Sequence, residues 1–312
     1  MHNIRKLFLL LLLIASSHLA AHTASAAEKG RPFRFAVLQQ PASGGDARLK
    51  EDILLANKKN SAFLVINGIK SADEPCSDTL YMGRKNLLND ANKPLIVSLA
   101  GNDWARCRSD DGQLIAVERL QRLRDVYFDS ELSLGTQKLK LIRQSLTPRF
   151  RGFPENAYWL HGKILFATIN LPAENNHYST AAGRNNEFDD RLIANRQWLR
   201  RLLNHARLHK IKGMVLFTDG NPFAPSNRSS TKNRDGFLEV RKYIIQLTSH
   251  FPGKVLLVHG NASSAPSQIT WRDNLGIVGA PTTWLEFTVN PASPQIFSLQ
   301  RPGKKSRPGA RR

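Results

Sequence analysis

Apolar positions along the chain gather into short unbroken runs separated by longer amphipathic or polar stretches. The runs are FRFAVL (33–38), AFLVI (62–66), PLIVSL (94–99), ILFATIN (164–170), GMVLF (213–217), KVLLV (254–258), WLEFTV (284–289) and QIFSL (295–299). Several are continuous rather than alternating, as in strands buried on both faces. Helical periodicity lies between them. It is clearest over 187–209, where Phe188, Leu192, Asn195, Leu199, Leu202 and Ala206 recur at three–four spacing and arginines fill the other face. Asn195 is the one polar member of that stripe. The pattern predicts two further helices, over about 113–128 and about 235–250. Strand–helix alternation of this kind predicts an α/β protein with largely parallel pairing. Only NPASP separates the last two runs, so pairing there is expected to be antiparallel.

Composition changes this picture in three places. The 312 residues carry a formal net charge of +20, which suits an anionic partner: an anionic surface, a phosphate-bearing ligand or an acidic protein, with nucleic acid not excluded. The arginines are scattered, however, and basic solvated faces are the plainer reading. The dense basic run, RPGKKSRPGARR (301–312), is rich in proline and glycine and is read as a disordered tail. At the other end, Arg5 and Lys6 precede LFLLLLLIA (7–15) and the small-residue site ASA (24–26), the pattern of a secretory signal over 1–26. An uncleaved anchor is the alternative. No later run is long and apolar enough to span a bilayer. One domain over 27–300, periplasmic or secreted, is the expectation. In an oxidising compartment Cys76 and Cys107 are expected to pair, closing a loop of roughly thirty residues at a gain of about 3–4 kcal/mol.

Loops at the carboxyl ends of strands carry function in such folds. The successive runs deliver Gln39 and Gln40; then Asn67, Lys70 and Asp73; then Gly101, Asn102 and Asp103; then Glu174, Asn175 and His177; then Asp219; then His259 and Asn261. Amides dominate, and Gln39, Asn67 and Asn261 are candidate pocket residues. Other chemistry finds little support. No G-x-S-x-G elbow accompanies Ser263 and Ser264, and neither a P-loop nor GxGxxG is present. His161 is expected at the surface of a hairpin turn. Trp104, Trp198, Trp271 and Trp284 are expected in the core.

Several elements in order, NGIKS and CSDTLY (67–81), PLIVSLAGNDWARC (94–107), PENAYW (154–159), RLIANRQWL (191–199), GNPF (220–223), VLLVHGN (255–261) and GAPTTWLEFTVNP (279–291), resemble the calcineurin-like metallophosphoesterase superfamily, in particular an exported bacterial branch. The resemblance implies a four-layer α/β/β/α sandwich with mixed sheets. It also implies two divalent metals that bridge a hydroxide for attack on a phosphoester. Carried over, the first aspartate falls within Gln39–Ser43 and the second at Asn67 or Gly68, where there is no carboxylate. Gly101, Asn102 and Asp103 resemble a GNHD motif without its histidine. Gly260, Asn261, Ala262 and Ser263 stand where a GHxH-like pair is expected. The metal ligands that remain are Asn102, Asp103, Asp219 and His259. The expectation is a catalytically degenerate protein that binds an anionic ligand or partner. The alternative is an active metal-dependent phosphoesterase with a rearranged or single-metal site, its Mn, Zn or Fe held by Asp103, Asp219 and His259.

Overall fold

The computed structural model describes residues 30–40, 45–179, 185–224, 234–262, 268–281 and 284–300. The expected signal (1–26) and basic tail (301–312) lie outside the described residues, as do Ser263 and Ser264.

The chain is an α/β protein with two mixed sheets. The first holds β1 (Phe33–Gln39), β2 (Leu64–Asn67), β3 (Leu95–Ser98), β11 (Trp284–Val289) and β12 (Phe297–Leu299), ordered β12-β11-β1-β2-β3. Here β1, β2 and β3 run parallel, and β11 and β12 pair antiparallel as NPASP predicted. The second sheet holds β4 (Ile142–Arg143), β5 (Ala157–His161), β6 (Ile164–Thr168), β7 (Gly213–Thr218), β8 (Lys254–Ala262), β9 (Thr270–Arg272) and β10 (Leu275–Pro281), ordered β4-β5-β6-β7-β8-β10-β9. Its centre, β6-β7-β8-β10, is parallel.

Alternation along β1 sorts its side chains onto two faces. Phe35 and Val37 meet Trp159, Phe166, Phe217, Leu256 and Val258 of the second sheet. Phe35 also stacks on Phe287 at 4.8 Å between ring centroids. Ala36 and Leu38 face the other way, toward α1 (Gly45–Asn57), α2 (Asp78–Asn89) and α3 (Ala116–Tyr127), through Leu49, Ile53, Tyr81, Leu88, Leu120 and Leu123. The second sheet's far face, with Leu165, Leu216 and Leu257, packs on α4 (Asn186–Leu208) and α5 (Leu238–His250) through Trp198, Leu202, Ile244 and Leu247.

Several expectations need correcting. The run KVLLV does not end its strand before His259, because β8 continues to Ala262 and pairs Thr218 with His259. Helices α1 and α2, β4 and the β9–β10 pair were not predicted. The stripe of α4 buries Arg191 and leaves Leu192 only half-buried. Asn195 is buried because its amide is used: it accepts from Asn156 Nδ2 at 3.0 Å and donates to the Asn170 carbonyl at 2.9 Å. His161 does end a hairpin strand, yet it is half-buried against Phe33, with ring centroids 4.4 Å apart. Burial lowers its pKa. Trp104 and Trp198 are core residues, whereas Trp271 and Trp284 are half-exposed beneath Lys254 and Lys59. Cys76 and Cys107 form the expected disulfide. Among the described residues no helix is long and apolar enough to cross a membrane.

Candidate functional site

The carboxyl ends of β1, β2, β3 and β7 open on a cavity of about 350 Å³. Register sets its floor, for parallel pairing places Gln39 beside Asn67 and Asn67 beside Ser98. After Asn67 the chain turns at Gly68, whose φ of +84° suits glycine and whose site is closed by Ala100, 3.2 Å from where a Cβ would lie. The following loop, residues 69–74, is tied to the helical layer by the buried Arg84. That guanidinium donates to the Ile69 carbonyl, to Asp46 and to Glu74, each at 2.7 Å. The disulfide fastens the end of the same loop to the chain after Trp104.

A left-handed turn builds the opposite wall. Glu174, Asn175, Asn176 and His177 all have φ between 52° and 59°. For L-residues each such conformation costs roughly 1–2 kcal/mol, somewhat less for asparagine. Side chains offset that cost. Asn175 accepts from the Gly236 amide at 2.8 Å, and Asn176 donates to the Gly236 carbonyl at 2.9 Å. The buried Arg191 donates to both the carbonyl and the side-chain oxygen of Asn176. The turn carries Glu174 to the cavity mouth, where it pairs with Arg106, and sets the His177 ring edge-on against Trp104.

The sequence-predicted residues divide sharply. Gln39, Asn67, Asn102 and Asp219 line the cavity. Asp103 contributes no surface to it and is fully buried. Its Oδ1 accepts from the amides of Ile69 (2.7 Å) and Lys70 (3.1 Å), and its Oδ2 from that of Ala100 (2.8 Å). Burial raises its pKa to about 6, and those three amides restrain the rise. Asp219 is similarly engaged. Its Oδ2 accepts from Gly101 N at 2.7 Å and Ala173 N at 2.8 Å, and its Oδ1 from Asn67 Nδ2 at 3.3 Å. Burial raises its pKa too. His259 also lies outside the lining; its Nδ1 donates to the Gly260 carbonyl at 2.7 Å, and burial lowers its pKa. Asn261 belongs to β8, but its side chain lies outside the described residues. Gly260 is required by close approach: a Cβ there would sit 2.0 Å from Asn67 Nδ2.

This donor set does not fit the metal pair that the resemblance implies. A dimetal centre needs hard anionic oxygens and imidazoles directed at one point. Here Asp103 and Asp219 each already receive three N–H donors, which leaves each carboxylate about one of its four acceptor sites for a cation, and Asp103 contributes no surface to the cavity. Among the described residues no group of three or more His, Cys, Asp or Glu could hold a metal ion. The expected set of Asn102, Asp103, Asp219 and His259 is therefore not assembled as ligands. Asp103 and Asp219 instead bind the strand-end loops together.

The unsatisfied groups lie elsewhere. Gln40 is 6% exposed and is a lining residue, yet its buried Nε2 and Oε1 have no partner among the described residues. Asn67, at 4% exposed, leaves its Oδ1 unpartnered. Each such buried atom costs about 1–3 kcal/mol when left unmade. Lys70 is also a lining residue; its Nζ donates to the Ser71 carbonyl at 2.8 Å, and burial lowers its pKa. Sequence reading found Gln40 and Lys70 as strand-end residues but could not show that the Gln40 amide has no partner among the described residues while the Lys70 ammonium is held by the Ser71 carbonyl. Arg106 and Arg191 gave no signal beyond their charge.

No family model matches the chain, and no characterised protein matches it by sequence.

Proposed function

We propose that the protein is an exported member of the calcineurin-like metallophosphoesterase superfamily, catalytically degenerate, that binds a small polar ligand in the cavity rather than cleaving a phosphoester. The order helices, sheet, sheet, helices with a hydrophobic core at each junction supports the four-layer sandwich. The disulfide suits an oxidising compartment, periplasmic or extracellular. The observation that carries the binding reading is the inversion at the strand ends. Both carboxylates are engaged by three of the protein's own N–H groups each, while the Gln40 amide and Asn67 Oδ1, on two residues of the lining, are buried with no partner among the described residues.

The anionic partner suggested by net charge belongs on a different surface. Two adjoining clefts, beside α4 and α5 and at the amino ends of β6, β7 and β8, are lined by Arg196, Arg200, Arg207, Lys210, Lys212 and Lys254 and by no carboxylate. None of these six pairs with a carboxylate among the described residues. We assign an anionic surface to this face.

Metal analysis of the mature protein, with phosphoester turnover assayed in added Mn, Zn or Fe, tests the central reading. Sub-stoichiometric metal and no turnover are expected. Bound metal near one equivalent, with turnover abolished in His259→Ala, would establish the active-enzyme alternative instead.

A further inference from the structure

We infer that the basic face of α4 docks on an anionic phospholipid bilayer, with Ile193 and Leu208 entering the boundary between headgroups and acyl chains; this rests on that face having an anionic partner.

Helix periodicity builds the face. From Ile193 to its end, α4 exposes Ile193, Arg196, Arg200, Asn204, Arg207 and Leu208. At about 100° per residue these side chains share an arc of roughly 120°, opposite the buried Trp198, Leu202 and Ala206. No carboxylate interrupts them, for the chain has no acidic residue between Asp190 and Asp219. Arg196 and Arg200, four apart, repel one another with no acid between them. Arg200 finds only the Gln197 side-chain oxygen. Arg207 and His250 are shared with the neighbouring cleft, which adds Lys210, Lys212 and Lys254. Positive charge therefore runs unbroken from the middle of α4 to the start of β8.

Charge alone would suit any polyanion; the exposed aliphatics choose among them. Leu208 is 77% exposed, more than any other large hydrophobic among the described residues, and Ile193 is 49% exposed. Both stand on the same side of the helix as the arginines. A guanidinium matches a phosphate, and a neighbouring aliphatic matches the hydrocarbon just beneath it. Nucleic acid supplies phosphate without hydrocarbon, and single strands are held on exposed aromatic platforms, of which this stretch of α4 has none. Protein interfaces centre on aromatic anchors and are depleted in lysine. Here Tyr243 and Trp271 are half-buried beneath Arg196 and Lys254, at 5.2 and 5.0 Å from the ring centroids. A neutral bilayer would leave the cations without a counter-charge, whereas each one gains at an anionic leaflet.

The test is flotation of the mature protein with vesicles of phosphatidylcholine, alone or mixed with phosphatidylglycerol, at low and high salt. A single-stranded oligonucleotide is titrated separately. Binding is expected only with phosphatidylglycerol and weakens as salt rises. The triple variant Arg196→Glu, Arg200→Glu, Arg207→Glu is expected to weaken it about tenfold or more. Lys50→Glu, Lys58→Glu, Lys138→Glu makes the same change in net charge at exposed positions elsewhere, and is expected to cost less than about threefold. Ile193→Ser with Leu208→Ser is expected to weaken binding about threefold or more with little change in Tm, since both side chains are exposed. Equal binding to neutral vesicles, equal losses in the two charge variants, or undiminished binding of the serine variant each overturn the inference. Arginine-dependent binding to the oligonucleotide but not to vesicles also overturns it, yet leaves the anionic partner standing. Binding to neither overturns both.

Discussion

Asp103 offers a quantitative test of how the strand-end loops are held. It is a fully buried carboxylate whose pKa burial raises from 3.8 to about 6. Between those values the native chain retains a proton that the unfolded chain has released. Stability must therefore fall as pH rises through that window, since the unfolded state then binds fewer protons. A rise of roughly two pH units, at about 1.4 kcal/mol each, amounts to ~3 kcal/mol, fully present below pH 3.8 and lost by about pH 6. Other groups titrate in the same range, so the measurement is a difference. Urea unfolding followed by tryptophan fluorescence, from pH 4 to pH 7, is compared between the wild type and Asp103→Asn. The variant keeps one oxygen for Ile69 and Lys70 but presents an amide nitrogen to the Ala100 N–H, so it is less stable at pH 4. Its disadvantage should shrink by about 2.4 kcal/mol between pH 4 and pH 7, because the unfolded aspartate is already part-ionised at pH 4. Parallel stability curves, or a gap that widens with pH, would refute the assignment of a costly buried charge held by three backbone amides.

Three further outcomes can be measured directly. Replacing both Cys76 and Cys107 with serine opens a loop with a sequence separation of 31, which should cost about 3–4 kcal/mol and lower Tm by several degrees; an unchanged Tm would show that the loop is held by other contacts alone. Asn176→Ala removes the acceptor of a buried Arg191 N–H and the bond to Gly236 while keeping a left-handed φ, and is expected to destabilise by about 3 kcal/mol in denaturant unfolding; a loss below half a kcal/mol would contradict the role given to this turn. Gly260→Ala drives a methyl into Asn67 Nδ2 and should break the Asn67–Asp219 bond, lowering stability by about 1–3 kcal/mol in denaturant unfolding; wild-type stability in this variant would count against that close approach.

The central strands were legible because their cores are unbroken Val, Ile, Leu and Phe runs, and α4 because its stripe is long. Helix α1 was not, since its buried face mixes Leu49, Ile53 and Ala56 with Asp52 among many charges. Strand β8 was cut short because a histidine, a glycine and an asparagine read as a stop, whereas ladder pairing with β7 and β10 carries the chain through them. At the site, the strand ends named the right neighbourhood. They could not tell a ligand-facing side chain from a structural one. Asp103 and Asp219 look alike in sequence to metal-binding aspartates. What decides their role is a set of amides from Ile69, Lys70, Ala100, Gly101 and Ala173, one of them, Gly101, more than a hundred residues from its aspartate, whose direction only the folded backbone fixes.

The same amides constrain any attempt to engineer catalysis into this scaffold. Aspartates at Gln39 and Asn67 with a histidine at Asn261 would restore the types of donor atom that a metal centre requires. Asp219 Oδ2 would still be clasped by Gly101 and Ala173, so that only Oδ1, freed of its Asn67 partner, would be left to a metal ion. Side-chain replacement alone therefore leaves one oxygen of that carboxylate held by the backbone. The loops after β3 and β6 would have to be redrawn so that their N–H groups point elsewhere, which makes the obstacle one of main-chain path and not of residue identity.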